Sequence, residues 1–228
     1  ITGLEFIADP HVLASGEGLV QEGFGVGSFY VPNRRINERV AVEDRAPAPS
    51  RITISYDCDG PNIKGLHVTR TIELRPDGPS VRVSWTVENR GDEAHWVAPW
   101  VRNNVSPGGS IGREDRIDLP TLSGIRPISA ARFELAARNW AAVTDTTAHE
   151  TLYGVFDADQ VHSFEAVRKD DEGRLGFAAH FVPMLLEKGK SWQTTFVLGA
   201  VRGLAHVDFA TEELAAQIDH EAGRLKVL

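Results

Sequence analysis

Residues 66–74 read LHVTRTIEL, and residues 81–88 read VRVSWTVE. In both segments apolar and polar side chains alternate, a period of two that is typical of β-strands with one buried face. Residues 75–79 contain proline and glycine and predict a turn between the two strands. A second turn at 89–92 leads to a third predicted strand over 95–101. Because short turns join antiparallel neighbours, we predict an antiparallel meander of three strands.

The same alternation predicts further strands along the chain. They are residues 51–56, 141–144, 152–156, 161–167, 175–181 and 192–198. Turns rich in glycine and aspartate separate these segments, with little helical periodicity between them. We therefore predict an all-β fold, an antiparallel β-sandwich, with irregular loops over 41–50 and 105–127.

Helix is predicted mainly at the C-terminal end. Thr211 can cap a helix whose first turn contains two glutamates, at 212 and 213, where negative charge is favourable. An apolar stripe along this helix is formed by Leu214, Ile218, Ala222 and Leu225. We expect the helix to cover a sheet edge, with a dimer contact as the alternative. A short helix is also predicted over 129–137.

Composition limits the classes of function. A chain of 228 residues with 42% hydrophobic residues has the length of one sizeable core, so we predict a single domain over 1–228. The net charge of −8 argues against nucleic acid as a partner, because phosphate binding needs a basic surface. No apolar run reaches the roughly 18 residues of a membrane helix, so no membrane partner is predicted.

Cofactor and metal sites are not indicated by any motif. Cys58 is the single cysteine, which excludes an intrachain disulfide and a cysteine-rich zinc site. The eight histidines lack metal-ligand spacing, and no cofactor is predicted. The chain begins with Ile1, as expected of a shortened chain or of a mature protein that has lost a targeting segment. A periplasmic or extracellular location is the expectation, and a cytoplasmic one stays open.

The segment 95–104, HWVAPWVRNN, is the most unusual part of the chain. Strand alternation places Trp96, Trp100, Arg102 and Asn104 on one face. Indole rings stack on the C–H faces of sugars, and guanidinium and amide groups hydrogen-bond to hydroxyls, so this face suits a carbohydrate. The alternative is that the tryptophans fill the core and the polar residues satisfy loop backbone.

Three segments carry a resemblance to a known family. Residues 68–78, 85–93 and 186–192 resemble the galactose mutarotase-like supersandwich family, which includes aldose epimerases and sugar-binding domains of glycoside hydrolases and polysaccharide lyases. The resemblance implies a supersandwich with a sugar pocket near the end of the third strand. The early segment 34–38, containing Arg35 and Glu38, would border that pocket, and surface charge pairing is the alternative for these residues.

Two departures from the family concern its catalytic residues. Mutarotases carry a histidine followed by Phe-Asn after the third strand, whereas residues 100–104 here contain no histidine. They also carry a glutamate as general base on a late strand, where residues 176–183 here offer His180 and no carboxylate. Opening a pyranose ring needs one group to remove a proton and another to donate one. Epimerase chemistry is therefore not supported, and whether the chain is an enzyme stays open.

We predict a domain that binds a carbohydrate or sugar-derived ligand in a cleft on one sheet without turnover. The predicted ligand-binding residues are Trp100, Arg102, Asn104 and His180, with Trp96, Arg35 and Glu38 behind them. If catalysis occurs, His180 is the expected acid or base and Glu38 the expected carboxylate. One alternative is a sugar-active enzyme, either aldose epimerase-like or part of a polysaccharide lyase or glycoside hydrolase. The other is a structural or partner-binding sandwich with Trp96 and Trp100 buried.

Overall fold

The computed structural model describes residues 14, 18–25, 34–43, 51–75, 78–169, 172–221 and 224–227. Strands account for 64% of these described residues and helix for 2%, so the fold is an all-β sandwich of antiparallel sheets. In chain order the strands are β1 (Gln21–Phe24), β2 (Arg35–Glu43), β3 (Arg51–Cys58), β4 (Leu66–Leu74), β5 (Ser80–Asn89), β6 (His95–Val97), β7 (Pro99–Asn104), β8 (Asp115–Thr121), β9 (Gly124–Ile128), β10 (Arg132–Leu135), β11 (Trp140–Asp145), β12 (Glu150–Val155), β13 (Val161–Lys169), β14 (Arg174–Phe181), β15 (Met184–Leu186), β16 (Ser191–Arg202), β17 (Phe209–Ala210), β18 (Ala215–Ala216), β19 (Ile218–Glu221) and β20 (Arg224–Val227).

The chain divides into two compact units. The meander unit consists of Glu22–Trp100 and Phe181–Val197. The second unit, which we call the β13 unit, has its described residues within Ile1–Gln21, Val101–His180 and Leu198–Leu228. Strand β16 contributes residues to both, so this division alone does not decide between one domain and two. The single domain over 1–228 stays a prediction.

The meander unit contains the strand order β2-β3-β4-β5-β16, with the Ser191–Val197 part of β16. Strands β4 and β5 pair antiparallel, with Val68 opposite Val87. The apolar side chains of the alternating pattern, such as Val83 and Trp85, are buried. The first two strands of the predicted meander are thereby confirmed, because their buried faces are those that the period of two assigned.

The third predicted strand, over 95–101, is present as two short strands, but its place beside the second strand of the meander is wrong. The neighbours of β5 are β4 and β16, whereas β6 pairs with β15 and a separate strand, β7, begins at Pro99. Proline has no N–H to donate and is tolerated at the first residue of a strand. The side chain of Asn89 donates to the carbonyls of Glu93 and Leu186, at 2.7 and 2.8 Å. These bonds tie the turn after β5 and the end of β15 to one side chain at the end of β5, beside the β6–β15 pair.

The β13 unit contains two strand orders. One is β16-β12-β11-β8-β9, with the Leu198–Arg202 part of β16, and the other is β7-β14-β13-β10. Phe156, Phe164 and Phe177 pack in its core with ring centroids 5.6 to 6.3 Å apart. The strands predicted over 141–144, 152–156, 161–167 and 175–181 are confirmed as β11 to β14, within two residues at each end.

The prediction of a C-terminal helix is wrong. Strands β17 and β18 form a hairpin there, and Thr211 accepts hydrogen bonds from the backbone of Glu213 and Leu214 at 3.2 and 3.3 Å. A threonine that bonds its own chain two and three residues ahead makes a turn as readily as a helix cap. The side chains of Ala222 and Leu225, in the expected apolar stripe, lie outside the described residues.

Two other predictions for irregular regions are also wrong. The segment 105–127, predicted as an irregular loop, contains β8 and most of β9. These two strands pair antiparallel, with Thr121 opposite Gly124. Gly124 has a φ of 104°, a backbone conformation that favours glycine in such a tight turn. The segment 129–137, predicted as a short helix, contains β10, which pairs with β13. Tertiary pairing decides short segments whose local pattern is ambiguous.

Candidate functional site

The outer face of the sheet β7-β14-β13-β10 carries a row of four side chains, one from each strand. On the inner face Val101, Phe177 and Phe164 are buried in the core. Arg102 follows Val101 directly, and Glu165 follows Phe164 directly. His180 comes three residues after Phe177, which is also an odd number of positions. Because side chains alternate across a strand, the three polar residues lie on the opposite face. We call Arg102, His180, Glu165 and Phe133 the outer-face row.

Phe133 completes the row on β10. It lies directly opposite Glu165 in the antiparallel register, and opposite residues point to the same side of a sheet. Its ring contacts the His180 imidazole with centroids 4.7 Å apart and planes inclined by 46°. Phe133 is 46% exposed, which is high for a phenylalanine in a strand. The row therefore ends in an accessible aromatic ring.

Glu165 is the centre of the row. Its Oε2 lies 3.2 Å from Nη2 of Arg102 and 3.5 Å from Nε2 of His180. Among the residues that the structure describes, both of these contacts fall on Oε2. The carboxylate keeps 23% of its side-chain surface accessible, and Arg102 keeps 27%. Glu165 can therefore accept a further hydrogen bond from a ligand hydroxyl through Oε1.

The charge state of Glu165 follows from its neighbours. Partial burial works to raise the pKa of this carboxyl, but contact with His180 and the positive charge of Arg102 outweigh burial and hold the pKa below its usual value. Glu165 is therefore a carboxylate at neutral pH and acts as a hydrogen-bond acceptor. The neighbouring His180 is buried, with 5% of its surface exposed.

Comparisons with solved structures identify the fold. The Slr1438 protein of Synechocystis sp. PCC 6803 aligns with a TM-score of 0.55 and 9% identity over 75% of this chain and 66% of that one. A galactose mutarotase-like protein of Clostridium acetobutylicum aligns with 0.54 and 8% identity over 75% and 67%. The GH36 alpha-galactosidase AgaA of Geobacillus stearothermophilus aligns with 0.52 and 16% identity over 82% and 30%. No protein-family model and no curated protein matches the chain.

The chain has a galactose mutarotase-like fold. This confirms the resemblance that segments 68–78, 85–93 and 186–192 carry. The chain spans about two thirds of the first of these solved proteins and under a third of the alpha-galactosidase.

Within the galactose mutarotase-like fold, the predicted site residues separate into groups. Arg102 and His180 come together through Glu165, and Asn104 lies on β7 but is 2% exposed, with its amide 3.4 Å from Oε1 of Gln21. Trp100 is half-buried, and its indole carbons lie where a Cβ on Gly23 would be, within 2.3 to 3.0 Å. The ligand-binding role of these residues stays a prediction.

Arg35 and Glu38 lie in the meander unit, in a different cluster. Arg35 donates to Oε1 of Glu22 at 3.0 Å, and its other terminal nitrogen lies 3.6 Å from Glu38. Tyr56 donates to the same oxygen of Glu22 at 2.6 Å, and Arg70 donates to Oε2 at 2.7 Å. Glu22 is almost fully buried, so this cluster, which we call the Glu22 cluster, is a saturated buried ion pair. Glu38 is exposed, and the carboxylate that contacts His180 is Glu165.

Trp96 lies on β6 in the meander unit and is 71% exposed. The alternative that required both Trp96 and Trp100 to be buried is therefore wrong for Trp96. The indole projects from a short strand whose flanking residues, His95 and Val97, are buried. Trp96 lines a groove between two loops of this unit.

Sequence reasoning missed Glu165 and Phe133. Residues 161–167 are correctly predicted as a strand. Their alternation places the side chain of Glu165 on one face of this strand and those of Phe164 and Ala166 on the other face. A charged residue in such a strand marks its outer face, but the sequence does not say which strand lies beside it. Phe133 was assigned to a helix, and its position became evident only from the β10–β13 pairing.

Two features are absent from the described residues. No group of three or more His, Cys, Asp or Glu side chains in the described part of the chain is arranged to hold a metal ion. No helix among the described residues is long and apolar enough to cross a bilayer. Cys58 is buried and is not part of a disulfide.

Proposed function

We propose that this protein binds a carbohydrate or a sugar-derived molecule on the outer-face row. The observation that carries the proposal is the alignment of a guanidinium, an imidazole, a carboxylate and an accessible aromatic ring across four adjacent strands. Sugars are recognised by an aromatic ring against their C–H surface and by charged or planar polar groups at their hydroxyls. The row supplies both kinds of group on a rigid sheet.

Each side chain has a distinct part in this proposal. Phe133 stacks on the sugar ring, and Oε1 of Glu165 accepts a hydrogen bond from a hydroxyl. Arg102 donates to a second hydroxyl or to a carboxylate of a sugar acid. His180 packs on Phe133 and holds Glu165 in place, so it positions the two groups that touch the ligand. Positioning by rigid neighbours favours binding because less conformational entropy is lost.

The solved neighbours give independent support for the ligand class. Their printed names include a galactose mutarotase-like protein and an alpha-galactosidase. At such low sequence identity the alignments show a shared fold alone, and one fold hosts many functions. The ligand class therefore rests on the row itself together with this association.

Titration calorimetry of two variants tests the proposal. Against neutral and acidic oligosaccharides, Arg102→Ala and Phe133→Ala are each expected to lose at least tenfold in affinity. Phe209→Ala is the matched control, because Phe209 is 41% exposed on another strand of the same unit. Arg174→Ala is the second control, because it removes an arginine whose Nε is 3.4 Å from Glu172. Unchanged binding by both test variants refutes the assignment.

A catalytic role is the second candidate, favoured by the contact between Glu165 and His180. A carboxylate and an imidazole 3.5 Å apart can pass a proton, but they form one acid–base unit. Ring opening needs two separate groups at two positions on the sugar. We therefore expect no acceleration of α/β anomer exchange of glucose or galactose, measured by NMR exchange spectroscopy. Acceleration that disappears in Glu165→Gln establishes an enzyme instead.

A further inference from the structure

The meander unit contains a groove formed by two loops. It has a volume of about 800 Å³ and is lined by Asn62, Lys64, Gly65 and the segment 91–96. None of these residues belongs to the outer-face row or to the Glu22 cluster. The volume is in the range of sites for small ligands. Its chemical character follows from three features: a rigid floor, an exposed indole and a histidine in a defined tautomer.

The floor of the groove is held by close backbone packing. A Cβ on Gly65 would lie 2.7 Å from the Cα of Gly91, so only glycine allows this approach. Arg90 donates its backbone N–H to the carbonyl of Gly65 at 2.9 Å, and Gly91 donates to the side chain of Asn89 at 3.0 Å. The same Asn89 side chain donates to the carbonyl of Glu93. The two loops are therefore fixed to each other before any ligand arrives.

His95 joins the opposite walls of the groove. Its Nδ1 lies 2.8 Å from the carbonyl oxygen of Asn62, an atom that can only accept. Nδ1 therefore carries a proton and donates, and in the tautomer with this single proton Nε2 is an acceptor. His95 is 9% exposed, and among the described residues its Nε2 has no hydrogen-bond partner. Nε2 has less than 1 Å² of accessible surface, so a donor from outside the protein reaches it only after a neighbouring side chain shifts. Such a donor would satisfy a buried acceptor that otherwise stays unpaired.

Trp96 provides the apolar surface. Its 71% exposure is the highest for an aromatic side chain among the described residues, and a large exposed indole marks a binding surface more often than an exposed aliphatic residue does. The rest of the rim is polar and of mixed charge, with Lys64, Asp92 and Glu93 all exposed. Asp92 is already paired with Lys188 at 2.6 Å. Mixed charge favours a neutral ligand over a strongly charged one.

We infer that this groove is a second, separate binding site for a neutral sugar unit, in which Trp96 stacks on the ring and a ligand hydroxyl, after a local shift of the side chains that cover it, donates to Nε2 of His95. A hydroxyl-rich ring fits all three features, since it has an apolar face for the indole and donors for the histidine acceptor. Glu93 and Lys64 on the rim can hold the remaining hydroxyls. We call this site the Trp96 groove.

The test uses the double variant Arg102→Ala/Phe133→Ala, which removes the outer-face row and leaves the groove intact. Cellohexaose, maltohexaose and stachyose are titrated into this protein, with Trp fluorescence and saturation-transfer NMR as readouts. We expect binding of at least one of them, and a loss of tenfold or more when Trp96→Ala is added. Leu74→Ala is the control, because Leu74 is a 48% exposed apolar residue in the same unit.

Separate outcomes distinguish the two sites. Binding that survives in the double variant and is lost with Trp96→Ala supports the groove even when the outer-face row proves inactive. Equal affinities with and without Trp96 overturn the inference. So does a Trp96→Ala protein whose mass by light scattering falls from dimer to monomer, because Trp96 is then a contact between copies of the chain. The circular dichroism spectrum of each variant checks that it remains folded.

His95→Gln sharpens the assignment of the acceptor. The glutamine amide can keep a donor toward Asn62 but does not present the same acceptor as the ring Nε2. We expect the affinity for the oligosaccharide to fall at least fivefold while the pattern of Trp96 contacts in saturation transfer is kept. An unchanged affinity contradicts the proposed role of Nε2.

Discussion

The Glu22 cluster and the outer-face row are both built around a glutamate and an arginine, yet they differ in what the carboxylate has left to offer. Both oxygens of Glu22 are engaged, by Arg35 and Tyr56 on one and Arg70 on the other. In the row, Arg102 and His180 both contact the same oxygen of Glu165. Glu22 has 2% of its side chain exposed and Glu165 has 23%. A saturated buried carboxylate stabilises the fold, whereas a partly exposed one can recognise a ligand.

The arrangement around Glu22 also explains why two arginines are tolerated there. Arg70 is 7% exposed on a face that it shares with core residues of β4, and a buried guanidinium needs a counterion. Arg35 lies 4.6 Å above the Tyr56 ring, a cation–π distance. Burial and the charge of Glu22 raise the pKa of Tyr56, so its hydroxyl stays protonated and donates. The cluster therefore acts as a polar part of the core.

The largest expected effect comes from removing the carboxylate of the saturated cluster. Glu22→Ala leaves Arg70 buried without its counterion, and breaking such a pair costs roughly 3–5 kcal/mol. We expect that loss in the free energy of unfolding, measured by urea titration. Glu38→Ala is the control, since Glu38 is half-exposed and its pairing with Arg35 is worth under about 1 kcal/mol. A loss below about 1 kcal/mol in Glu22→Ala would mean that the cluster is not a stabilising unit.

A second prediction concerns Trp100, which packs where the sequence predicted an open cleft. In Gly23→Ala the new methyl group meets the indole at 2.3 to 3.0 Å, and such overpacking costs roughly 1–3 kcal/mol. Gly78→Ala is the matched control, because a Cβ there has no heavy atom within 4 Å. Equal unfolding midpoints for the two variants indicate that the indole can move away, as the cleft prediction requires.

A third prediction uses Asp115, a buried carboxylate without the saturated pairing of Glu22. Burial raises the pKa of Asp115 to about 6, and the negative charge of Asp145 opposite it adds to this. The folded protein therefore holds a proton that the unfolded chain releases near pH 4, so Asp115 lowers stability as pH rises from about 4 to 6. At pH 7 we expect Asp115→Asn to be more stable by about 1–2 kcal/mol.

The pH profile of unfolding decides this point. The gain in Asp115→Asn should vanish below about pH 4, where the wild-type carboxyl is protonated in both states. The amide oxygen can still accept the 2.7 Å bond from the backbone of Gly112. A gain that persists unchanged at pH 3.5 contradicts the assigned titration.

The smallest expected change in the free energy of unfolding comes from a substitution in the outer-face row. Glu165→Gln removes the charge but keeps an acceptor, and we expect at most about 1 kcal/mol of lost stability, because the pair is partly solvated. Since the pKa of Glu165 lies below its usual value, its contribution is present above pH 4.5 and disappears as pH falls through the folded pKa. Sugar affinity should nevertheless fall tenfold or more. A large loss of stability would place Glu165 with Glu22 as a structural carboxylate.

The alternating pattern predicted most of the strands because burial of one face depends on residue identity alone. Strands β4 and β5 are of this kind, whereas β11 and β14 are buried on both faces and follow from their apolar composition. The pattern could not predict that residues 95–101 break into two strands, because the side chain of Asn89 and the pairing of β6 with β15 decide that. Nor could it distinguish a helix from a hairpin after Thr211, since the same cap residue serves both.

The sequence alone established an all-β sandwich with a mutarotase-like arrangement, and it identified Arg102 and His180 as residues of interest. Only the tertiary structure brought Glu165 and Phe133 beside them, because neighbours in a sheet are set by strand order, which the period of two does not encode. It likewise placed Arg35 in the saturated Glu22 cluster and left the Trp96 indole exposed at a groove. Side-chain direction is a local property of a strand, whereas the composition of a site depends on which strands lie next to each other.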